Sequence, residues 1–268
     1  MLLRLLTTGK LQRTTVSVVG MGGSGKTTLA AKIFNCETVK RHFKCSAWIT
    51  VSQTYSVEDL FRSLIQQFYE EAKPVPLDLD RMSYRQLVEM LVNYLQRERY
   101  LVVLDDVWDT ELWNKIKVAL PNRNHSCRVI ITTRMEDVAV KFSVVGSNIH
   151  KIKAMEENEA WNLFCMKAFP WNGRRCLPEL EDLAIDVVEK CQGLPLAVVS
   201  LGGLFSTKRK ELEWKRTINS LNWNLSNNSM LQRLKSILSL SYNDLPYRLK
   251  HRFLYCRLFP QDYEIQRG

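Results

Sequence analysis

One segment constrains this chain more than any other: Val16-Ser-Val-Val-Gly-Met-Gly-Gly-Ser-Gly-Lys-Thr-Thr28. An apolar strand runs straight into a glycine-rich loop, and helix-forming residues follow. Gly20, Gly25, Lys26 and Thr27 meet the spacing Gly-x-x-x-x-Gly-Lys-Thr of a phosphate-binding loop. The spacing has a chemical reason. Glycines let the backbone curl so that successive N–H groups face one concave nest, which suits a polyanion. The next helix turns its positive N-terminal end to the same point. In such a loop the lysine, here Lys26, reaches the β- and γ-phosphates as a point charge, and the Thr27 hydroxyl is a Mg²⁺ ligand. A glycine-rich turn with a chance lysine would need neither the flanking strand nor the helix.

Length and composition set the remaining bounds. At 268 residues the chain accommodates one large domain or two modest ones. With 46% hydrophobic residues it has enough apolar surface for a core, which excludes a disordered chain. The seven cysteines form no Cys-x-x-Cys pair and several lie in apolar runs, so they read as reduced thiols of an intracellular protein. The apolar start, Met1 to Leu6, is interrupted by Arg4 and is too short for a signal-peptide core. No apolar stretch is long enough to span a bilayer, so no membrane span is expected and the predicted location is cytoplasmic. The formal charge of +10 is scattered, with its densest clusters at Lys208 to Lys210 and Arg248 to Arg252. This patterning favours a generally basic surface, and nucleic acid is not expected as a partner.

Along the chain, strand and helix alternate through the first half. Apolar runs at Val16 to Val19, Cys45 to Val51, Tyr100 to Leu104 and Cys127 to Thr132 predict four strands. Helical spacing runs through Thr28 to Phe34, then through Leu60, Phe61, Leu64, Ile65 and Phe68, and again through Leu87, Met90, Leu91, Tyr94 and Leu95. Near-continuous apolar strands separated by helices predict an α/β fold, a parallel sheet covered on both faces. Beyond His150 only helical spacing remains. It covers Leu180 to Cys191, Ala197 to Phe205, Leu212 to Leu221 and Leu231 to Leu240, with Gly193 and Pro195 punctuating the first two and Asn222 to Ser229 reading as a connection. The predicted division is a P-loop nucleotide-binding domain over residues 1–152, a helical domain over 153–228 and a partial winged-helix domain over 229–268.

Two further segments carry chemistry. Leu101-Val-Val-Leu-Asp-Asp-Val-Trp108 is four apolar residues followed by two carboxylates. Alone it reads as a strand ending in a polar turn. Beside a phosphate-binding loop, Asp105 suits the Mg²⁺ shell, and Asp106 suits a catalytic acid/base that orients or deprotonates an attacking water. Cys127-Arg-Val-Ile-Ile-Thr-Thr-Arg134 is another apolar strand with an arginine just past its end. Ligands of open parallel sheets sit outside the carboxyl ends of the strands, so Arg134 is a candidate γ-phosphate sensor; the alternative is a surface arginine in a salt bridge.

Taken together, these segments resemble the NB-ARC nucleotide-binding module of plant intracellular nucleotide-binding, leucine-rich-repeat disease resistance proteins, in the coiled-coil branch. The resemblance is carried by Gly20 to Thr28, Phe43-Lys-Cys-Ser-Ala-Trp-Ile-Thr-Val-Ser-Gln53, Leu101 to Trp108 and Cys127 to Arg134. Further along it is carried by Glu159-Ala-Trp-Asn-Leu-Phe164, Cys191-Gln-Gly-Leu-Pro-Leu-Ala197, Ser241-Tyr-Asn-Asp-Leu-Pro246 and Phe253-Leu-Tyr-Cys-Arg-Leu-Phe-Pro260. The ordered set spans nearly the whole chain, and Trp108 after Asp-Asp-Val points to the coiled-coil branch. The resemblance implies a P-loop NTPase fold and an ADP/ATP-binding switch in the defense response, at most a slow Mg²⁺-dependent ATPase. It implies that Gly22, Gly23, Ser24, Gly25, Lys26, Thr27 and Thr28 bind phosphate, that Thr27 and Asp105 serve Mg²⁺, and that Asp106 is the catalytic acid/base. It further implies that Arg134 senses the γ-phosphate, that Pro195 lies against the nucleotide from the helical domain, and that self-association or receptor partners exist. From residue physics alone, Gly193-Leu-Pro-Leu196 reads instead as a plain helix–turn–helix junction.

The sequence departs from the family pattern in carrying no coiled coil, no leucine-rich repeats and no Met-His-Asp motif, and in having Arg252 and Arg257 where Cys and Ser are usual. The expectation is that residues 1–228 form the stable unit, with Phe253, Leu254, Tyr255, Leu258 and Phe259 left uncovered in a loosely held remainder. Three other readings stay open at this stage: a truncated regulatory partner that pairs with full-length receptors, a catalytic P-loop ATPase or kinase with its own substrate, and a nucleic-acid-stimulated ATPase suggested only by charge.

Overall fold

The computed structural model of the protein describes residues 6–7, 11–70, 76, 78–122, 126–143, 148–225, 237–239, 242–243 and 245–259. Its contacts divide it into two compact units, Met1–Ile152 and Lys153–Gly268. The predicted 228/229 boundary, the second half of the Asn222 to Ser229 connection and most of the Leu231 to Leu240 helix lie outside the described residues, while Asn222 to Leu225, expected in that connection, end the helix Glu211–Leu225 instead.

The first unit is built on five parallel strands: β1 (Thr14–Val19), β2 (Cys45–Thr50), β3 (Tyr100–Asp105), β4 (Arg128–Thr133) and β5 (Asn148–Lys151). Their order across the sheet is β2-β3-β4-β1-β5. The four apolar runs each form a strand, as expected. The fifth was not foreseen: Asn-Ile-His-Lys is short and polar and pairs along the sheet edge with Val16–Val19, so it lacks the buried apolar signature of the others.

Alternation along the strands feeds two cores, one on each face of the sheet. Val102, Leu104, Val129 and Ile131 pack with Phe61, Ile65, Leu87, Leu91 and Phe142. These last belong to helices α3 (Val57–Glu70), α4 (Tyr84–Leu95) and α6 (Glu136–Phe142). Leu101, Val103 and Ile130 face the other way and pack with Val16, Val18, Ala30, Ile33 and Val39. Ala30 and Ile33 come from α1 (Lys26–Phe34), and Val39 from α2 (Glu37–His42). Helix α4 starts at a capping box, in which Ser83 and Gln86 satisfy each other's end groups. A short α5 (Leu112–Ile116) links β3 toward β4.

The second unit is helical where described: α7 (Glu157–Ala168), α8 (Glu181–Lys190), α9 (Pro195–Phe205), α10 (Glu211–Leu225) and α11 (Tyr247–Cys256). Its core is aromatic. Trp214 is fully buried, stacks on Phe169 at 5.7 Å, approaches Phe205 at 4.3 Å, and donates its Nε1–H to Lys208 O. Gly202 on α9 allows a close approach to α7, since a Cβ there would stand 2.6 Å from Lys167 Cβ. Helix α11 buries no residue, and Phe253, Leu254, Tyr255 and Leu258 are exposed.

Candidate functional site

The order of the strands assembles the site. β4 lies between β1 and β3, so the end of β4 stands between the loop after β1 and the carboxylates after β3. All three strands run parallel, and their carboxyl ends share one edge, where open α/β sheets bind ligands. The ladder continues past the strand ends and pins the loops: Gly20 N–H donates to Thr133 O, and Val107 N–H donates to Thr132 O.

The loop after β1 makes two left-handed turns, Gly23 at φ 78° and Gly25 at φ 91°, which L-side chains adopt only with strain. Gly25 is the N-cap of α1, no side chain caps that end, and the first turn carries no acidic residue. The positive end of a nine-residue helix is thus left uncompensated apart from its own backbone, the condition an anion requires. Two observations test this fit to phosphate. Among the described residues Ser24 Oγ is buried with no hydrogen-bond partner, a state it shares with Thr15 Oγ1 and Ser17 Oγ of β1, but Ser24 alone of the three lies in the phosphate-binding loop. The buried Lys26 ammonium donates only to Met21 O among its resolved bonds, at 2.9 Å. Burial lowers the Lys26 pKa, the Arg134 charge lowers it further, and Asp106 and Asp105 act against both. A lysine held this way gains from a phosphate beside it. Thr27 and Thr28 follow, exposed in the first turn of α1.

Asp105 is buried at the end of β3 and accepts two hydroxyl donors on Oδ1: Thr27 at 3.0 Å and Thr132 at 2.6 Å. Asp106 sits in the left-handed region at φ 56°, an uncommon conformation for a non-glycine residue, and one that concentrates at functional sites. Its N–H donates to Thr132 Oγ1 at 2.9 Å. Its carboxylate faces Arg134, whose Nε lies 3.5 Å from Oδ1. The Arg134 guanidinium also stacks over Trp108 at 4.8 Å and extends toward the phosphate-binding loop, where a Cβ added at Gly22 would stand 3.5 Å from Nη1.

Gly22 to Lys26, Thr27, Asp105, Asp106 and Arg134 therefore gather at one sheet edge. Pro195 belongs to the second unit, as the first residue of α9. Sequence reasoning missed two contributors. Thr132 holds both acidic residues through the strand register, which no local sequence signal gives: β3 pairs Leu104 with Ile131, so the next residues, Asp105 and Thr132, meet at the strand ends. Trp108 served as a branch marker in the sequence, with no structural role assigned to it.

Among the described residues no group of three or more His, Cys, Asp or Glu converges as a metal site. That leaves Asp105 and the Thr27 hydroxyl, a pair of hard oxygen donors. Mg²⁺ is commonly held by one or two carboxylates plus substrate phosphates, so the donor set fits it. No described helix is long and apolar enough to cross a membrane.

Comparison with known proteins adds the following. A family model described as the NB-ARC domain matches residues 2–173. The Arabidopsis thaliana disease resistance protein RPM1 is 52% identical over 258 residues, 96% of this chain and 28% of that protein. Disease resistance protein RPP13 from the same plant is 36% identical over 263 residues, 98% of this chain and 31% of that protein. The chain thus spans less than a third of the length of these relatives. Among solved structures, a Pyrococcus horikoshii signal transduction ATPase with numerous domains and a tetratricopeptide repeat sensor aligns with a TM-score of 0.57 at 17% identity, over 96% of this chain and 34% of that one. The Aeropyrum pernix ORC2 protein in its ADP form aligns with a TM-score of 0.51 at 15% identity, over 95% of this chain and 81% of that one. At such identities the likeness shows the fold alone, and that fold is the expected α/β P-loop architecture.

Proposed function

This chain belongs to the NB-ARC family, and on that premise we propose that it is the adenine-nucleotide switch module of a cytoplasmic plant immune receptor. It binds ADP or ATP with Mg²⁺ at the carboxyl edge of the sheet and hydrolyses ATP slowly or not at all. The observation that carries this reading is the convergence on Asp105 Oδ1. One carboxylate oxygen accepts from Thr27 of the phosphate-binding loop and from Thr132 of β4, tying loop, acid and arginine strand into one site.

In this reading the backbone N–H groups of Gly22, Gly23, Ser24, Gly25 and Lys26, with Thr27 and Thr28 at the helix start, cradle the phosphates. Ser24 Oγ supplies a hydroxyl that has no partner among the described residues. Thr27 and Asp105 would hold Mg²⁺, which neutralises charge on the β- and γ-phosphate oxygens when bound. Asp106 orients or deprotonates a water. Arg134 is the residue that tells triphosphate from diphosphate, because only the former presents a γ-phosphate to its Nη edge. Pro195 presents a rigid apolar ring at a helix start where its missing N–H costs nothing. The output of the switch is a change in association with receptor partners or with further copies of the module.

The test is calorimetry of ADP and ATP binding with Mg²⁺. Lys26→Arg keeps the charge but replaces a compact ammonium with a bulky fork. The expected loss is at least ~10-fold in affinity, or about 1.4 kcal/mol. Unchanged affinities in a soluble Lys26→Arg protein would overturn the assignment.

A further inference from the structure

Arg134 is held on three sides. Asp106 Oδ1 lies 3.5 Å from its Nε, the Trp108 ring lies 4.8 Å beneath its guanidinium, and Gly22 lies beside its Nη1. The indole does a second thing: Trp108 Nε1 donates to the other oxygen of the same carboxylate, Asp106 Oδ2, at 3.2 Å. Asp106 therefore divides its two oxygens between Arg134 and Trp108.

That division matters chemically. A carboxylate free to rotate pairs with arginine as a fork, two parallel N–H···O bonds that take one Nη group when formed beside Nε and both when formed end-on. With Oδ2 engaged by the indole, Asp106 offers Arg134 a single oxygen, and that oxygen lies on the Nε side. The Nη donors stay available on the side of Gly22 and the phosphate-binding loop. An arginine side chain carries about 2 kcal/mol of rotamer entropy, and Arg134 is half exposed, so without support it would spread over many conformations. The face of a tryptophan is the strongest aromatic platform for a guanidinium.

We propose that Trp108 is a positioning residue for nucleotide discrimination: it fixes the plane of Arg134 and restrains Asp106, so that the Nη edge is presented, pre-organised, to a γ-phosphate. This rests on the reading in which Arg134 meets that phosphate. It also predicts a function for the residue after Asp-Asp-Val that packing alone would not. A merely structural Trp108 would alter stability, or the affinities of both nucleotides alike.

The experiment measures ATP-analogue and ADP affinities, with Mg²⁺, for the full 268-residue chain and for Trp108→Leu, Trp108→Phe, Arg134→Ala and the Trp108→Leu/Arg134→Ala double variant. Loss of a cation–π platform should lower triphosphate affinity roughly threefold to tenfold in Trp108→Leu, with ADP affinity changed less than about twofold. Trp108→Phe keeps an aromatic face and should recover part of that loss. In the Arg134→Ala background Trp108→Leu should add nothing, because its route to the phosphate is gone. Equal losses for both nucleotides in Arg134→Ala would remove the sensor reading and this proposal with it. A selective Arg134→Ala combined with an additive or non-selective Trp108→Leu would overturn the proposal alone. Should Trp108→Leu fail to fold, the indole N–H resonance of Trp108 in the unaltered chain, assigned by its loss in Trp108→Phe, decides. Movement with the triphosphate but not with ADP supports the proposal, and identical behaviour with both overturns it.

Discussion

Thr27 and Asp105 stand 78 positions apart in the chain, yet the hydroxyl of the first donates to Oδ1 of the second at 3.0 Å. This contact ties the first turn of α1 to the end of β3, and Thr132 completes it from β4 at 2.6 Å. The acid thus holds the loop in register with the sheet, and in the proposed function it has a second task, offering oxygen to a cation.

The two tasks separate in Asp105→Ala. Removing the buried acceptor leaves the buried Thr132 hydroxyl short of a partner, at a cost of about 1–3 kcal/mol, while the exposed Thr27 hydroxyl can turn to water. The variant should unfold at a lower temperature in the absence of any ligand. It should also lose at least ~10-fold in affinity for either nucleotide when Mg²⁺ is present, a loss of about 1.4 kcal/mol. With Mg²⁺ chelated, its affinities should approach those of the unaltered chain. Calorimetry with and without chelator checks this, and a loss that persists undiminished in chelator would leave Asp105 a purely structural residue.

Lys26 gives a pH signature. Burial, then Arg134, lowers its pKa below the ordinary 10.5. For a lysine the depressed value means that the folded protein releases the proton more readily than the unfolded chain. The unfolded state then binds more protons between the folded value and 10.5, and stability rises with pH across that window. It falls again toward the lower plateau as pH drops through the folded value and the buried ammonium charges. A bound phosphate favours the charged form, so nucleotide binding in the same alkaline window should take up protons. Calorimetry in buffers of different ionisation enthalpy measures that uptake, and Lys26→Arg should abolish it. Equal apparent enthalpies in all buffers would refute the linkage.

The strands of the first unit were legible because each is a near-continuous apolar run, the mark of a sheet buried on both faces. That the phosphate-binding loop, Asp105 and Arg134 gather was legible because each stands at or beyond the end of such a run, and in a parallel sheet the ends of the runs share an edge. The order of the strands was not legible. Nothing local in Arg128–Thr133 says that it lies between the other two site strands, and from that order follow both the reach of Arg134 to Gly22 and the bond from Thr132 to Asp105. The left-handed backbone at Asp106 was hidden too, because an aspartate with no glycine beside it gives no such sign. β5 escaped because an edge strand with a half-exposed, alternating sequence has no run to read.

The cysteines should report the fold by their reactivity. Burial pushes the Cys191 thiol up to about 12, and Cys176 likewise up to about 12. At pH 8 a thiol with such a value is about one part in ten thousand thiolate, and the thiolate is the reactive form. Cys36 differs: the Thr38 N–H, at the start of α2, stabilises its thiolate and lowers its pKa. Brief alkylation of the native protein, read by peptide mass spectrometry, should label Cys36 well ahead of Cys176 and Cys191. Guanidinium should equalise all three. Early labelling of Cys191 in native buffer would contradict its burial.

The turn into α9 makes the most demanding prediction for the second unit. Gln192 and Gly193 both lie in the left-handed region, at φ 49° and φ 67°. Only the second is a glycine, and the surroundings explain why. A Cβ at Gly193 would stand 2.4 Å from Met155 O and 3.0 Å from Met155 N, against backbone that has no flexible end to yield. The closeness is useful, since Met155 N–H donates to Gly193 O at 2.9 Å and ties the turn to the loop before α7. Gly193→Ala therefore combines a left-handed penalty of about 1–2 kcal/mol with a clash that must move one of the two segments. We expect a loss of more than about 2 kcal/mol, seen as a fall in Tm of roughly 5 °C or more. Gln192→Gly is the matched control, because at that position glycine relieves the same backbone strain. It should be neutral or stabilising, within about 1 kcal/mol of the unaltered chain. Near-equal Tm values for Gly193→Ala and Gln192→Gly would show that the turn is not built on that contact.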